Sequence, residues 1–524
     1  MDFRRRRIYY GPIADVVPST GVFDMYPIGF LSIASYLLKH GFKVGILNLA
    51  AAMVINPRLN VEKLLKSIYA DVYAIDLHWA VHCQGALKVA KMVKELHPNS
   101  AVVFGGFTST IYWREILEKF HYVDYVVLGD SGEEPLKQLL ESLDRGKASV
   151  EDIPNIAYRS SMGIPRTTGI KHVPSLLDPY TIDYKLVIKH IVNSQINPFY
   201  TVPFAHFLKN PIAGVIPYKG CSRNCVTCGG SAYTYAKYYG RKRVGYKTAK
   251  AVAYEIESLV EHMKIPIFIL NDIFALGYKW VESLAREVRE RGIDTKFFFE
   301  VFRPLNSFEV KLLASIPGAS VVEISPETHD ENLRAKFGKF YTNSELENFV
   351  GKAVEAGFER VDVYFMIGIP FQTWDSCIET TIYAAKLAKQ YNPKLKVFIA
   401  PMTPFLDPGS IAFDNPDKYG YRLKATTLEE HVKLVENSKT WIDMTNYEHL
   451  YMPREILASA VYASTTALQT RRLVEKGEGF GHEGISLKDL YKSKHLLKTV
   501  SWKLKLKLLK TLTSHTINKI LIHH

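Results

Sequence analysis

Short apolar runs alternate with amphipathic stretches along most of this 524-residue chain, and this alternation limits the fold more than any other feature. The runs are rich in Val and Ile, and the stretches between them repeat apolar residues at helical spacing. Strands that alternate with helices of about ten to fifteen residues pair in parallel, and the helices cover the sheet. The chain is therefore predicted to be an α/β protein built on parallel sheets.

The first block of alternation covers residues 1–150 and predicts a Rossmann-like domain with a doubly wound parallel sheet. Its four predicted strands are residues 43–50, 71–79, 100–106 and 123–130. Ligands of such sheets bind beyond the carboxyl ends of the strands. The candidate ligand contacts at those ends are His78, Gly105, Gly106 and Gly129. The glycines equally suit turns that have no ligand.

A proline-rich stretch without a sustained period, residues 151–205, is predicted to be a linker. Alternation resumes over residues 206–415, where six more strands are predicted: 214–220, 265–272, 295–302, 319–325, 360–368 and 395–401. Six strand–helix units predict a partial (β/α)6 barrel, in which functional residues cluster at the carboxyl ends of the strands. Residues 416–524 are predicted to form a C-terminal helical region that ends in a basic amphipathic tail.

Three of the five cysteines, Cys221, Cys225 and Cys228, lie within eight residues, directly after the first predicted barrel strand. A structural zinc site needs a fourth ligand and usually takes its cysteines in pairs. A [4Fe–4S] cluster also needs four ligands, and a loop that supplies three leaves one iron open for a substrate. The C-x3-C-x2-C spacing therefore favours a cluster over zinc. Five cysteines, an odd and small number, argue against a disulfide framework and fit a reducing, cytoplasmic setting.

The formal net charge of +13 suggests an anionic partner, which could be nucleic acid, a phosphorylated substrate or an acidic lipid surface. The sequence contains no run of eighteen apolar residues, so no membrane-spanning helix is predicted. Residues 487–524 hold nine lysines and one acidic residue. This tail is typical of an interfacial helix on anionic lipid, and it equally suits a terminal helix packed on the barrel. It lacks arginine and interleaved stacking aromatics, so no nucleic-acid partner is expected.

The cysteine loop after the first strand of a partial barrel resembles the radical S-adenosylmethionine (SAM) superfamily, in particular the class with an N-terminal cobalamin (B12)-binding-type domain. The resemblance covers about residues 8–415. In the first domain it is carried by MYPIGFLSIASYLLKHGFKVGILNLA, VVFGGFTST and YVVLGDSGEEPLKQLL. In the barrel it is carried by LNDIFAL, VVEISPETHDENLRAKFGK, YFMIGIPFQT and APMTPFLDPGS.

The resemblance implies that Cys221, Cys225 and Cys228 bind three irons of a [4Fe–4S] cluster, while the amine and carboxylate of SAM chelate the fourth. One electron passed through the cluster would cleave SAM and give a 5′-deoxyadenosyl radical that abstracts hydrogen from an unactivated carbon. It also implies an electron donor, such as ferredoxin or flavodoxin, as a partner.

By motif position, the resemblance places SAM against the ends of the second, fourth and fifth barrel strands. The implied contacts are Asn271 and Asp272 for its amino and carboxylate groups, Glu323, Ser325 and Glu327 for its ribose or amine, and Ile367, Gly368 and Pro370 for its adenine. Asn271 and Asp272 stand where many relatives carry a G-G-E tripeptide.

The resemblance of the first domain implies cobalamin binding. The family's cobalt-binding motif, D-x-H-x-x-G, is incomplete, because Val81 stands at the glycine position after Asp76 and His78. The motif also follows a later strand than it does in the family. Cobalamin would therefore bind without this histidine, and His78 equally suits a satisfied polar residue at the domain interface.

The resemblance and the tail together predict radical chemistry on an unactivated carbon of a membrane lipid at the inner membrane face, forming C–C bonds or rings as in archaeal tetraether lipid ring synthases. One alternative is a cobalamin-dependent C-methyltransferase. A non-enzymatic alternative is an iron–sulfur or zinc protein that binds nucleic acid. An RNA methylthiotransferase is excluded, because its second cluster needs three more cysteines and only Cys83 and Cys377 remain.

Overall fold

The computed structural model describes residues 28–475, except 146–148, 195, 206, 392, 403–405 and 439–440. Within these ranges, every helix is too short or too polar to span a bilayer. The basic tail lies outside the described residues, so its interfacial helix stays a prediction from the sequence.

The N-terminal domain is built on a five-stranded sheet whose strands are arranged in chain order. The strands are β1 Val72–Asp76, β2 Ala101–Gly105, β3 Tyr125–Val127, β4 Ile156–Arg159 and β5 Pro165–Thr167. The first three are parallel, and the last two are antiparallel additions. The helices are α1 Gly29–Lys39, α2 Leu49–Ile55, α3 Val61–Ser67, α4 Cys83–Leu96, α5 Phe107–Ile111, α6 Trp113–Lys119 and α7 Glu133–Arg145.

Successive residues of β2 face opposite sides of the sheet, as the pleat requires. Val102 and Phe104 join a core with α3, α4 and α6, whereas Val103 joins a core with α1 and α7. Helices therefore cover both faces of the sheet, which confirms the doubly wound α/β architecture.

The predicted strand at residues 43–50 is wrong. Residues 42–48 belong to no strand, and α2 begins at Leu49. A cavity of about 1610 Å³ is lined by this segment and by β1. A strand needs a hydrogen-bonding neighbour about 4.8 Å away. Among the described residues this segment belongs to no sheet, so its apolar pattern alone does not make it a strand.

The stretch predicted to be a linker, residues 151–205, contains β4 and β5. Tyr125 of β3 pairs with Tyr158 of β4, and Ala157 of β4 pairs with Thr167 of β5. These strands extend the N-terminal sheet because β3 offers them a free edge. Only the part after residue 167 connects the two sheets.

The second sheet has six parallel strands in chain order, which are the strands of the predicted partial barrel. They are β6 Ala213–Val215, β9 Ile267–Ile269, β10 Phe297–Val301, β11 Ala319–Glu327, β12 Arg360–Ile367 and β13 Leu395–Pro401, and a small pair, β7 Tyr218–Lys219 and β8 Gly245–Tyr246, flanks the cysteine loop. The helices are α8 Tyr184–Val192, α9 Ala232–Tyr238, α10 Ala249–Val260, α11 Tyr278–Glu290, α12 Ser307–Ala314, α13 Glu331–Phe337, α14 Asn343–Glu355 and α15 Trp374–Gln390. All six strands coincide with predicted runs.

The C-terminal region holds the two units together. It consists of α16 Ile411–Asp414, β14 Tyr421–Leu423, α17 Leu428–Asn437, β15 Tyr447–His449 and α18 Arg454–Glu475. Helix α18 packs on the barrel core through Leu457 and Val461. Helix α17 packs on the N-terminal domain, where the Glu115 carboxylate accepts hydrogen bonds from the amides of Leu428 at 2.8 Å and Glu429 at 3.0 Å.

Candidate cofactor site

The three cysteines lie on the loop between β7 and α9, at the carboxyl end of the first barrel strand. The amide of Arg223 donates a hydrogen bond to Cys221 Sγ, and the amide of Gly230 donates one to Cys228 Sγ, each at 3.3 Å. Burial raises the pKa of all three thiols above the ordinary value. This shift favours the neutral thiols while no metal is bound, and coordination to a metal would deprotonate them.

The cysteine loop supplies three thiolates, which is the donor set that the resemblance assigns to a [4Fe–4S] cluster. Over the described ranges, no three His, Cys, Asp or Glu side chains converge on one point that could hold a single metal ion. A [4Fe–4S] cluster instead takes each thiolate on a different iron. The donor set therefore fits the cluster that the spacing predicts.

The end of α13 and the loop after β13 hold the cysteine loop in place. The amide of Val226 donates to the carbonyl of Phe337 at 3.0 Å, and the amide of Gly229 donates to the Asp407 carboxylate at 2.9 Å. Helix α13 ends at Gly338, which has a φ of 107°. A Cβ at Gly338 would lie 2.6 Å from the Asn224 carbonyl oxygen, so only glycine allows the loop to approach this closely.

Backbone strain concentrates around the carboxyl ends of the barrel strands. Among the described residues, the non-glycine residues with positive φ are Asn155, Asn271, Glu327 and Phe371. Asn271 follows β9, Glu327 ends β11 and Phe371 follows β12. Such strain is uncommon for a residue like Glu or Phe, and it clusters at ligand-binding sites. This edge of the barrel is therefore the best candidate for the binding of SAM.

Two predicted SAM contacts, Asn271 and Asp272, hold the backbone at the end of β9. The Asp272 carboxylate accepts hydrogen bonds from the amides of Phe274 at 3.0 Å and Phe302 at 3.1 Å. The Asn271 side chain donates to the carbonyl of Tyr218 at 3.0 Å. Asp272 thus fixes the turn that follows β9, and its contact with SAM stays a prediction.

At the end of β11, Lys339 links two other predicted contacts. Its ammonium donates to the Glu327 carboxylate at 2.5 Å and to the carbonyl of Ser325. The third predicted contact on this strand, Glu323, is two positions further from the end, and burial followed by the charges of Glu300 and Asp362 raises its pKa to about 8.

The predicted adenine contacts after β12 are buried. Ile367 lies in the barrel core, and Pro370 is also buried. The Gly368 amide donates to the Gln372 side chain at 2.8 Å, and the Gly368 carbonyl accepts from the Tyr421 hydroxyl at 2.7 Å. These bonds fix the backbone of this turn, and its contact with adenine stays a prediction.

Sequence reasoning missed Glu300, Tyr218 and Lys339. Glu300 shares a register level with Glu323 on the neighbouring strand. Its only local signal is the alternation in FFFEVF, which puts Glu300 on the same side of β10 as Phe298. Lys339 and Tyr218 reach the site through contacts between separate elements, which leave no pattern in the sequence.

At the carboxyl edge of the N-terminal sheet, His78 is held in an aromatic stack. Its ring stacks on Phe107 at a centroid distance of 4.3 Å, and Phe107 stacks on Tyr239 at 4.2 Å. Burial lowers the pKa of His78, so its ring is neutral near pH 7. Because Tyr239 follows α9, this stack joins the predicted cobalamin edge to the segment after the cysteines.

The three predicted glycines at this edge differ in the space around them. A Cβ at Gly105 would meet no atom within 4 Å, whereas one at Gly106 would lie 2.7 Å from the Cα of His78. At Gly129 it would lie 3.3 Å from the Asn155 side chain. A side chain at Gly105 would therefore enter open space, whereas the other two glycines are explained by packing of the protein itself.

The two adjacent glycines give a matched pair of variants. Gly105→Leu is expected to keep the unfolding temperature but to reduce retention of hydroxocobalamin after desalting, because its side chain fills the open space. Gly106→Ala is expected to lower the free energy of unfolding by about 1–3 kcal/mol, because its φ of 108° strains any other residue. Wild-type cobalamin retention by Gly105→Leu would show that the corrin binds elsewhere.

Two buried ion pairs join the cysteine segment to the N-terminal domain. The Arg241 guanidinium binds the Asp130 carboxylate through two nitrogens, and both side chains are 2% exposed. The Lys219 ammonium donates to the Glu133 carboxylate at 3.1 Å. Asp130 and Glu133 follow β3, and Lys219 and Arg241 flank the cysteine loop. The predicted cobalamin edge and the cysteine loop are therefore direct neighbours.

Two family models match this chain, one in each unit. The B12 binding domain matches residues 15–140, and the Radical SAM superfamily matches residues 215–383. The chain is 24% identical over 320 residues to the anaerobic magnesium-protoporphyrin IX monomethyl ester cyclase of Rubrivivax gelatinosus, covering 59% of this chain and 52% of the relative. It is 20% identical over 274 residues to the hopanoid C-3 methylase of Methylococcus capsulatus, covering 52% and 47%. The chain thus spans about half the length of these curated relatives.

A solved structure shares the two-unit fold. It is the radical SAM methyltransferase TsrM from Kitasatospora setae with cobalamin and a [4Fe–4S] cluster bound. The TM-score is 0.60 at 16% sequence identity, and the match covers 76% of this chain and 78% of TsrM. At this identity the likeness shows the fold alone.

Proposed function

Because the chain is a radical SAM protein with an N-terminal B12-binding domain, we propose that it is a cobalamin-dependent radical SAM methyltransferase that acts on carbon. The observation that carries the proposal is the contact between the two cofactor edges. The cysteine loop is bound through Arg241 and Lys219 to the loop after β3, beside the predicted cobalamin edge. The predicted cobalamin edge and the cysteine loop are therefore neighbours, as transfer of a methyl group between the two cofactors would require.

When bound, the [4Fe–4S] cluster, SAM and cobalamin supply the one-electron and methyl-carrying chemistry that side chains lack. Cys221, Cys225 and Cys228 would hold the cluster, and the amides of Arg223 and Gly230 orient two of the sulfurs. The space beside Gly105 would accept the corrin. The reductant would be a one-electron carrier such as ferredoxin or flavodoxin.

Methyl transfer is favoured over lipid cyclisation by the named relatives. The hopanoid C-3 methylase and TsrM are both named for methyl transfer, and TsrM shares both units of the fold. Ring closure is the second candidate, since the Rubrivivax gelatinosus relative is named a cyclase. The lipid substrate that the sequence analysis predicts rests on the tail at residues 487–524 and on family resemblance.

The proposal is tested with anaerobically reconstituted protein supplied with SAM, hydroxocobalamin and a strong reductant. We expect S-adenosylhomocysteine to form only when cobalamin is present. With CD3-labelled SAM and extracts of candidate substrates, including lipids, the product should gain one CD3 group by mass spectrometry. A product that loses two hydrogens and gains no label, formed equally without cobalamin, would favour the cyclase instead.

A further inference from the structure

The segment that contains the cysteine loop is strongly basic. Residues 184–254 contain eleven Lys and Arg residues and not one Asp or Glu. Four of these cations form ion pairs with acids outside the segment: Lys219 with Glu133, Lys237 with Asp414, Arg241 with Asp130 and Lys247 with Glu255. The segment therefore leaves an excess of positive charge for the surface of the protein.

Part of this excess charge lies on one surface beside the cysteine loop. Lys242 and Arg243 are in the turn between α9 and β8, and Lys171 is on the neighbouring segment. The two segments are in contact, because a Cβ built at Gly240 would lie 3.0 Å from the Ile170 side chain. All three cations are exposed, and within the described ranges none of them forms an ion pair with an acidic side chain. They are therefore available to an anionic partner.

Two exposed apolar side chains lie beside these cations. Leu176 is 47% exposed and Tyr246 is 41% exposed, and their backbones form a β-bridge. The carboxylate of Asp178, two residues after Leu176, is occupied by the amide of Thr248 at 2.7 Å and its hydroxyl at 2.8 Å. Apolar and aromatic side chains bordered by charge are typical of a protein–protein interface. We name this set the basic surface, which consists of Lys171, Leu176, Lys242, Arg243 and Tyr246.

The basic surface is close to the cysteines. Strand β8 pairs with β7, which ends two residues before Cys221. A Cβ at Gly220 would lie 2.9 Å from the Arg241 side chain and 3.3 Å from the Cα of Val244. The turn with two of the three cations therefore packs on the start of the cysteine loop. Electron transfer slows steeply with distance, so a protein that reduces a cluster on this loop must dock near it.

We propose that the basic surface docks an acidic one-electron carrier protein, such as a flavodoxin. This rests on the proposed function, which consumes one electron for each SAM that is cleaved reductively. Each productive encounter oxidises one carrier by one electron and reduces one cluster by the same electron. Carboxylates of the carrier neutralise the three cations, and its apolar residues cover Leu176 and Tyr246. Docking sites of electron carriers are small, which suits a surface of this size.

The test measures binding of oxidised flavodoxin to the anaerobically reconstituted protein by isothermal titration calorimetry at low and high salt. The double variant Lys242→Glu, Arg243→Glu should raise the Kd about tenfold or more at low salt and weaken its salt dependence. The matched control, Lys63→Glu with Lys66→Glu, makes the same change in net charge at two exposed lysines of α3 and should bind like wild type. Leu176→Ala should raise the Kd without changing its salt dependence, because it removes apolar contact and no charge.

Reduction of the cluster, followed by electron paramagnetic resonance, gives a second measurement. Reduced flavodoxin should reduce the Lys242→Glu, Arg243→Glu variant more slowly than wild type, whereas dithionite, which needs no docking surface, should reduce both alike. Wild-type affinity and reduction rate in this variant, or an equal loss in the control, would overturn the proposal. So would failure of wild type to bind flavodoxin and ferredoxin, or binding of duplex DNA at this surface in their place. Neither measurement follows methyl transfer, so failure of the proposed function would leave the result unaffected.

Discussion

Replacing Cys221, Cys225 or Cys228 singly by serine is expected to abolish assembly of the [4Fe–4S] cluster and all cleavage of SAM. Each thiolate would bind a different iron, so no neighbouring cysteine can substitute for a lost one. The only other cysteines, Cys83 and Cys377, are both fully buried in cores away from the loop. Iron and sulfide per chain, the low-temperature electron paramagnetic resonance signal and 5′-deoxyadenosine formation measure the loss.

The matched control for these variants is Cys377→Ser. Cys377 is 0% exposed and contacts the Met452 sulfur at 3.7 Å, so this change perturbs the core while leaving the loop intact. We expect it to lower the free energy of unfolding but to retain full iron content. Stoichiometric zinc in aerobic protein, with no 5′-deoxyadenosine formed after reconstitution, would instead support the zinc alternative.

The sequence predicted the elements whose signal is local. All six barrel strands follow from apolar runs bounded by helical patterns, because burial on both faces leaves a strong mark on each strand. Residues 43–50 carry the same mark but have no strand partner among the described residues, and pairing is not a local property. The strands Ile156–Arg159 and Pro165–Thr167 were missed for the opposite reason, since they are short, one is proline-led, and both depend on the edge of β3.

In the candidate site, too, only the features that depend on a local motif could be predicted from the sequence. The cysteine loop is a local motif, so its position after the first barrel strand could be predicted. The position of Glu300 beside Glu323 depends on strand register. The difference between Gly105 and Gly106 depends on where His78 lies in space. Motif position assigned Asp272 to SAM, but it could not predict that the Asp272 carboxylate accepts hydrogen bonds from two backbone amides.

The Asp130→Asn variant is expected to lower the free energy of unfolding by about 3–5 kcal/mol, because it leaves the buried guanidinium of Arg241 without its counter-charge. The pair is separated by 111 residues and joins the loop after β3 to the segment after the cysteines. Arg241 also donates to the carbonyl of Pro174 at 2.9 Å, so it links a third segment. Urea unfolding of the protein without cofactors measures this loss.

The matched control is Asp294→Asn, which removes the same charge from an exposed pair. Lys264 and Asp294 lie 3.8 Å apart with side chains 81% and 91% exposed, and such pairs contribute about 0–1 kcal/mol. We further expect Asp130→Asn, but not Asp294→Asn, to reduce both iron content and hydroxocobalamin retention, because Arg241 and Asp130 lie between the two cofactor edges. If Asp130→Asn unfolded at the same urea concentration as wild type and kept both cofactors, the buried pair would have no part in joining the two edges.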